Sequence, residues 1–247
     1  VVEITAAEYD NTQILDGGDN DDEANGIVDE LYFYGLDVEI AGSINLINWE
    51  IIFLDDTKVD FVDNYLSTSK ADGSGLFLTN DTTLKGGDEF IYDGNMSILG
   101  TSEFEGSGGG QGVYQVENLS NNGRVNLQDG ATGDTMTVLS DYSGAGALLL
   151  DVDLVNNSAD TLVIDGDVTG GGITEITVED LAAPASASTR AMTFSNQSIL
   201  LVDVTGATAA GDFTLVGETL TKGAFDYILE LESSQWMLVL ALNSMGA

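Results

Sequence analysis

The chain contains no cysteine, no histidine and only one proline, and it has 6 lysine and arginine residues against 42 aspartate and glutamate residues. Without cysteine there are no disulfides, thiolate zinc sites or thiol nucleophiles. Without histidine the usual general base and the commonest transition-metal ligand are missing. A formal net charge of −36 repels phosphate backbones and anionic lipid headgroups. These absences exclude most familiar enzyme mechanisms and predict that the chain binds no nucleic acid.

Long hydrophobic runs are also absent. The longest, Trp236 to Leu242, has seven residues, whereas a membrane-spanning helix needs about 20. We therefore expect no membrane insertion of this chain. Of the 247 residues 43% are hydrophobic, which is enough to build a core despite the charge. An acidic, cysteine-free, glycine-rich composition is typical of exported bacterial proteins or of proteins from saline habitats.

Short turns recur along the whole chain, because 30 glycines are interspersed with Asn, Asp, Ser and Thr. The segments between turns are short and rich in β-branched residues, and several alternate between apolar and polar side chains. No window has a capped stripe of helical period. The sequence therefore predicts an all-β protein. The predicted strands are Glu30–Tyr34, Ile51–Leu54, Gly75–Leu78, Phe90–Tyr92, Thr135–Leu139, Ala147–Leu154, Thr161–Ile164, Ile173–Val178, Ile199–Val204, Asp212–Val216, Phe225–Leu231 and Trp236–Leu242.

The spacing of these strands favours a solenoid over a sandwich or barrel. Strand centres often lie near 20 residues apart, which is the period of a stacked coil. Asp-Gly pairs such as Asp93-Gly94 are also typical of the hairpins in sandwiches and barrels, and no strict repeat is present. At roughly 20–25 residues per turn the chain would form about ten or eleven coils.

Six motifs follow one another in the second half of the chain: Gly133–Val138 with Asp141–Gly144 and Leu148–Val152, Asp160–Gly166, Ile199–Val202, Phe213–Leu215, Lys222–Leu229 and Trp236–Leu238. In this order they resemble the end of the passenger region of bacterial type V autotransporters, and the resemblance covers about residues 125–242. In the pertactin-like autochaperone segment of that family, a strand of Gly-Ala-aromatic-x-Tyr pattern pairs with a final strand that carries a Trp.

The resemblance implies a right-handed parallel β-helix that is secreted through a C-terminal outer-membrane barrel to the extracellular space or the bacterial outer surface. The chain stops soon after Trp236 without a barrel, which indicates a cleaved passenger or a relative that uses its β-helix differently. We divide the chain into acidic N-terminal coils, 1–124, and a C-terminal β-helix with an autochaperone-like cap, 125–247.

A cap is also expected on physical grounds. A parallel coil is open at both ends, and an unpaired edge promotes aggregation unless it is covered. Trp236 would supply a large apolar plate for such a cap, although an ordinary core tryptophan is an equal alternative. Either interpretation assigns Gly223, Phe225, Tyr227 and Trp236 to stability rather than to chemistry.

The densest acidic cluster, residues 16–30, is a candidate calcium loop. Calcium prefers six to eight oxygen ligands, and D-x-[DN]-x-[DN]-G places carboxylates at alternating positions before a sharp turn. The pattern is incomplete, because Glu stands at its third position and Tyr32 stands where a bidentate Glu belongs. A solvated acidic loop is the alternative interpretation. No cofactor is required, and the candidate ligands for Ca²⁺ are Asp19, Asp21, Glu23, Asn25 and Asp29.

Paired carboxylates are the remaining enzymatic option, because a glycosidase needs only two acids at a suitable separation. The candidates are Asp55-Asp56, Asp151 with Asp153, and Asp165 with Asp167; the last two pairs have the spacing that places both side chains on one face of a strand. No aromatic or basic cluster in the sequence accompanies them. We therefore assign no catalytic residue. The glycine-rich run 106–112 lacks the Lys of a phosphate-binding loop and is interpreted as a loop or tight corner.

The predicted function is that of a secreted or surface-exposed structural or adhesive β-helical protein. It would act by extended contact or by head-to-tail or lateral self-association into a filament or layer, and its receptor is not evident from the sequence. The alternative is a secreted carbohydrate-active β-helix, a polysaccharide hydrolase or lyase that uses one of the carboxylate pairs.

Overall fold

The computed structural model describes residues 1–5, 9, 13–18, 28–40, 45–62, 64–70, 73–182, 198–222 and 225–241. Every element bounded in these ranges is a β-strand, which confirms the all-β prediction. The strands are β1 Val2–Thr5, β2 Leu15–Asp16, β3 Glu30–Tyr34, β4 Asp37–Ile40, β5 Leu46–Ile47, β6 Ile51–Asp55, β7 Lys58–Phe61, β8 Tyr65–Ser67, β9 Gly75–Thr79, β10 Thr83–Lys85, β11 Glu89–Asp93, β12 Asn95–Glu105, β13 Val113–Val116, β14 Asn118–Asn126, β15 Thr135–Val138, β16 Tyr142–Gly144, β17 Ala147–Asp153, β18 Ser158–Ala159, β19 Thr161–Ile164, β20 Thr174–Asp180, β21 Ser198–Val204, β22 Phe213–Leu215, β23 Leu220–Lys222, β24 Phe225–Glu232 and β25 Gln235–Ala241.

The strands form three stacks of parallel strands that rise together along a solenoid. The first stack contains β1, β3, β6, β9, the first half of β12, the first half of β14 and β16. The second contains β4, β7, β10, the second halves of β12 and β14, β17, β20 and β22. The third contains β8, β11, β13, β15, β19 and β21.

From β6 onward the parallel coils contribute strands to all three stacks, whereas β2 and β5 of the N-terminal coils pair with each other in a separate parallel sheet. Alternating side chains of the stacked strands point into the shared core. In β6, Ile52 and Leu54 are buried, whereas Ile51 and Phe53 are half-buried on the outer side. The same alternation recurs in β3 and β9, so apolar side chains of successive coils pack directly above one another. Burial of these rows is the main source of stability, because apolar burial contributes about 25 cal/mol per Å².

The solenoid has about six complete turns, so the expected ten or eleven coils are wrong. Through the middle of the chain the period agrees with the prediction, as Leu76 pairs with Met96 and Met96 with Leu119. Later coils are longer: Leu162 pairs with Val202, and residues 183–197 between them lie outside the described ranges. The last strands pair antiparallel and add no parallel coil.

A row of buried hydroxyl groups marks the bend between the first and second stacks. Thr57, Thr82 and Ser102 lie one above another, each less than 2% exposed. The Thr57 and Thr82 hydroxyls are 3.3 Å apart, the Thr82 amide donates to Ser102 Oγ at 3.3 Å, and the Thr82 hydroxyl donates to the Leu54 carbonyl at 2.9 Å. Neutral groups therefore satisfy the backbone at this corner, and no charge is buried there.

All twelve predicted strands are present, with ends displaced by at most two residues. The longest strands that the sequence did not predict are β12 and β14, in which a bend interrupts the alternation of apolar and polar residues. Gly100 has a φ of 63° at the bend of β12. In β14 a Cβ on Gly123 would lie 2.4 Å from the Ser102 carbonyl oxygen, so the tight approach of two coils excludes any larger residue. The proposed division at residue 124 stays a prediction.

Candidate functional site

An antiparallel hairpin covers the C-terminal end of the third stack. Strands β24 and β25 pair from Glu232 with Gln235 to Asp226 with Ala241, and the turn between them passes through Ser233, whose φ is 61°. Strand β25 also pairs antiparallel with β21, the last strand of the stack. The hairpin thereby occupies an edge that would otherwise be open. This pairing of a Tyr-bearing strand with the final Trp-bearing strand is the one that the sequence resemblance implies.

Trp236 fixes this hairpin to the core and is 4% exposed. Its ring makes an edge contact with Phe213 at 5.4 Å between centroids, and Phe213 in turn stacks on Tyr142 at 5.7 Å. The indole N–H donates to Thr208 Oγ1 at 3.1 Å. Tyr227, from the partner strand, is 2% exposed. Both residues belong to the packed end of the core, whereas Gly223 lies outside the described residues.

Lys222 connects the hairpin to the second stack. Its ammonium group forms an ion pair with the carboxylate of Asp180 at the end of β20 and donates to the Ala182 carbonyl at 2.6 Å. The side chains are 20% and 14% exposed, so solvent screens this pair less than the other ion pairs of the described residues. The sequence alone does not indicate this ion pair, because the two residues are 42 positions apart.

Three fully buried carboxyl groups lie in the coils below the hairpin. Asp160 accepts the amides of Gly133 and Asp134 at 2.9 and 3.0 Å on one oxygen and the amide of Asp151 at 2.7 Å on the other. Asp134 accepts the Gly112 amide at 2.7 Å. Asp151 accepts the amides of residues 129 and 130 at 3.1 and 2.8 Å. These carboxyls bind together the loops that join the second and third stacks in three successive coils.

Burial raises the pKa of all three groups. It raises the pKa of Asp160 to about 7, against the opposing effect of its backbone hydrogen bonds. The pKa values of Asp134 and Asp151 are also raised by burial, and the negative charge of Asp129 adds to both shifts. One oxygen each of Asp134 and Asp151 is buried without a hydrogen-bond partner in the described part of the chain. Burial therefore shifts all three carboxyl groups toward their protonated, neutral forms.

A second set of acidic and amide side chains forms a row at the corner between the third and first stacks. The Asn118 amide donates to Asn95 Oδ1 at 2.8 Å, and Asn118 Oδ1 accepts the Asp141 backbone amide at 3.0 Å. Asp141 Oδ1 then accepts the Asp167 amide at 3.0 Å, and Asp167 Oδ1 accepts the Ala207 amide at 2.7 Å. These residues hold successive turns in register.

Residues 114–229, which contain the three buried carboxyl groups and the first part of β24, match the family model of the type 1 autochaperone domain. Over 126 residues the chain is 33% identical to the probable autotransporter YfaL of Escherichia coli K12. This part of the chain therefore resembles the autochaperone region of an autotransporter passenger. Passengers of this class are secreted or exposed at the outer membrane surface, and this is the location of the chain.

The matches cover a limited part of each protein. The YfaL match spans 49% of this chain and 10% of YfaL, and a 31% identical match to the uncharacterized protein YuaQ of the same organism spans 46% of this chain and 8% of YuaQ. The solved structure of the Haemophilus influenzae Hap adhesin aligns over 86% of this chain and 24% of its own, with 14% identity and a TM-score of 0.48. The matched part of the chain thus spans about a tenth or less of the length of YfaL and of YuaQ.

The predicted calcium loop falls largely outside the described residues of this passenger. Asp19, Asp21, Glu23 and Asn25 lie there, and Asp29 alone is described. The Asp29 amide donates to Glu50 Oε2 at 2.7 Å, and its carbonyl accepts the Ile51 amide at 3.1 Å. In the described ranges no group of three or more acidic side chains has an arrangement that could hold a metal ion. The calcium site stays a prediction.

The three carboxylate pairs have structural contacts in the passenger. The spacing of Asp151 and Asp153 predicted that both side chains lie on one face of a strand, but their surroundings differ. Asp151 is buried, and Asp153 accepts the amides of Val155 and Asn156 in the next turn. Asp167 belongs to the corner row, while the Asp165 side chain is exposed. Asp55 accepts both hydrogen bonds of the Asn80 amide group at 3.0 and 2.9 Å.

The expectation that no aromatic cluster accompanies these pairs is wrong for Asp55. Tyr32 stacks on Phe53 with 4.4 Å between centroids, and Phe53 stacks on Phe77 at 4.9 Å. These rings stand on the outer side of the first stack, in the row adjacent to Asp55. Their positions are 21 and 24 residues apart, so only the register of the coils reveals the cluster.

The glycine-rich run 106–112 forms a corner that closes over Tyr114. The Gly108 amide donates to the Tyr114 hydroxyl at 3.0 Å, and that hydroxyl donates to the Gly87 carbonyl at 3.0 Å. A Cβ on Gly112 would lie 2.1 Å from the Tyr114 hydroxyl oxygen. The run is therefore glycine-rich because the loop contacts the edge of the tyrosine ring.

Within the described ranges there is no helical segment of the length and hydropathy needed to cross a bilayer.

Proposed function

We propose that the chain is the capped C-terminal part of an adhesive, non-enzymatic passenger that acts by extended lateral contact, including contact between copies of itself. The observation that carries this proposal is the unbroken outer row of the first stack. Pairing aligns side chains of six successive coils along it, spaced about 4.8 Å apart. The row comprises Tyr32, Phe53, Phe77, Ser97, Ser120 and Ser143.

The chemistry of the row supports contact rather than catalysis. From Tyr32 to Ser143 it contains aromatic rings and hydroxyl groups, and the next residue in register, Glu3 of β1, places a carboxylate at its N-terminal end. From Phe53 to Ser143 the strip can therefore approach another surface without placing its own charges against it. The net charge of −36 still opposes association between copies at low ionic strength. Lateral association should therefore increase with salt until the charges are screened.

Bacteria that display the passenger provide the test, with aggregation of cells and electron microscopy of the purified protein as readouts. Ser120→Asp adds a charge to the row, and we expect it to abolish salt-promoted association. Thr137→Asp is the matched control, because Thr137 is a half-buried outward residue of β15 in the third stack. Equal association of the two variants, or monomers at every salt concentration, would contradict self-association through this row. Release of reducing sugar from polysaccharides would contradict the non-enzymatic role.

A further inference from the structure

A groove of about 410 Å³ lies on the outer surface beside the aromatic row, at the bend between the first and second stacks. It is lined by the apolar side chains of Tyr32, Phe53 and Leu99 and by the polar side chains of Asp55, Asn80 and Thr101, which we call its polar wall. Leu99 is 38% exposed although it is large and apolar. The volume is within the range of about 300–1,000 Å³ that small-ligand sites occupy. We call this feature the Tyr32 groove.

We propose that the Tyr32 groove binds a polysaccharide whose pyranose rings carry free amino groups. A pyranose has an apolar face of C–H bonds and an edge of hydroxyl and amino groups. The Tyr32 groove offers both kinds of surface, because the rings of Tyr32 and Phe53 lie in one row of the first stack and Asp55 lies with Thr79 in the neighbouring row. This inference rests on the proposed adhesive function, for which it supplies a ligand class.

The charge around the groove selects the amino sugar among pyranoses. None of the lining residues is basic, and two further acids border them: Glu30 accepts the Tyr32 hydroxyl at 3.2 Å, and Asp81 accepts the Thr101 hydroxyl. An anionic sugar would be repelled here, as it would by the chain as a whole. An ammonium group would instead meet Asp55, and a charge-assisted hydrogen bond is about twice as strong as a neutral one.

The geometry of the polar wall is fixed before a ligand binds. Both oxygens of Asp55 accept hydrogen bonds from the Asn80 amide, and Asn80 stands in a turn with a φ of 51°. Each carboxylate oxygen retains a lone pair for a further donor. Ligand binding therefore does not have to order this wall, which lowers the entropic cost of association.

Titration calorimetry with purified protein tests the inference without cells, so its failure is distinct from failure of self-association. The probe is a β-1,4-linked glucosamine hexamer, compared with its N-acetylated form and with hexalysine. We expect the glucosamine hexamer to bind tightest. Tyr32→Ala and Phe53→Ala, which leave net charge unchanged, should each weaken it about tenfold, the effect of losing about 1.4 kcal/mol of contact.

Two matched controls separate the groove from nonspecific attraction to an acidic protein. Tyr65→Ala removes a 42% exposed tyrosine from the third stack and should leave affinity unchanged. Asp55→Asn should abolish the preference over the N-acetylated hexamer, whereas Asp165→Asn, with the same charge change at an exposed turn, should not. Thermal unfolding of each variant verifies the fold, because the buried face of β3 and β6 is untouched.

Three outcomes would overturn the inference. Unchanged affinity in all three groove variants would show that the sugar binds elsewhere. Equal affinity for the N-acetylated hexamer would show that an ammonium contact with Asp55 does not contribute to binding. Hexalysine binding that is as tight and as sensitive to Tyr32→Ala would assign the groove to basic peptides instead.

Discussion

The coils of residues 51–105 and those of residues 129–160 bury polar groups of different kinds. In the first region Thr57, Thr82 and Ser102 form a row of neutral hydroxyls that pair with one another and with the backbone. In the second region Asp134, Asp151 and Asp160 are 0% exposed. The same solenoid geometry therefore buries neutral hydroxyl groups in one region and ionisable carboxyl groups in the other.

The antiparallel hairpin lies at the same end of the solenoid as the second region. It places Trp236 over the core, and Lys222, in the strand next to the hairpin, pairs with Asp180. A buried carboxyl without a nearby cation is destabilising, so these coils need the additional stabilisation that the hairpin supplies. This comparison gives a physical reason for an autochaperone domain at this end.

The largest expected effect comes from deleting residues 213–247. The deletion removes β22 to β25 and leaves β21 without its antiparallel partner, above coils that contain buried carboxyls. We expect a protease-sensitive chain without a cooperative thermal transition. Deletion of an equal length from the N-terminus removes β1, β2 and β3 and should leave a resistant core. Equal protease resistance of the two truncated proteins would show that the hairpin has no special role.

Substitution of the two tryptophans is the next test. Trp49 and Trp236 are 3% and 4% exposed, so Ala at either position should cost about 3–5 kcal/mol of packing free energy. In a solenoid, however, each coil contacts only its neighbours. Trp236→Ala should therefore open the C-terminal coils to proteolysis, and Trp49→Ala only those near the N-terminus. Mass spectrometry of the first cleavage sites checks this, and identical sites would contradict it.

The buried carboxyls predict a pH dependence that belongs to one region. A carboxyl whose pKa is raised by folding binds protons more tightly in the folded state, so stability increases as pH falls from about 7, the pKa of Asp160, toward the unfolded value of 3.8. Asp129 and Glu179 add negative charge around the cluster, and Tyr114 is an ionisable neighbour of Asp134.

Asp151→Asn sharpens this prediction. It removes a buried charge and retains an acceptor for the amides of residues 129 and 130. The variant should unfold at a higher temperature than the parent at pH 8 and lose this advantage near pH 4. Asp165→Asn, at an exposed position, measures the effect of net charge alone. An identical pH profile of both variants would place the proton-linked stability outside the cluster.

Calcium should have the smallest effect, and it should act on the other region. Residues 1–123 have 25 acids and 3 bases, a net charge of −22, against −14 for the remainder. We expect millimolar Ca²⁺ to stabilise the protein beyond ionic-strength-matched NaCl, in a saturable manner. Asp19, Asp21, Glu23, Asn25 and Asp29 are the proposed ligands. Coincident unfolding curves in CaCl₂, MgCl₂ and NaCl would identify a solvated acidic loop.

Local patterns were enough to predict twelve of the strands, because β-branched alternation is visible within ten residues, whereas the pairing of the Trp-bearing strand was implied by the family resemblance. The groups that distinguish the two regions were not predictable in this way. Asp134 and Asp160 look like ordinary turn acids in the sequence, and Asp151 was considered only as one member of a carboxylate pair. Their burial follows from contacts between coils 22 to 27 residues apart. Tyr32 and Phe53 likewise become neighbours only through a register that no local pattern encodes.

Native-state hydrogen exchange of the intact chain tests most directly whether the capped end is the stable end. The backbone amides of β19, β21 and β25 should exchange slowest, those of β6 and β9 faster, and those of β3 fastest. The gradient should become steeper at pH 6 than at pH 8, as the buried carboxyls bind protons. Uniform protection along the solenoid, or slowest exchange in β6 and β9, would contradict the account.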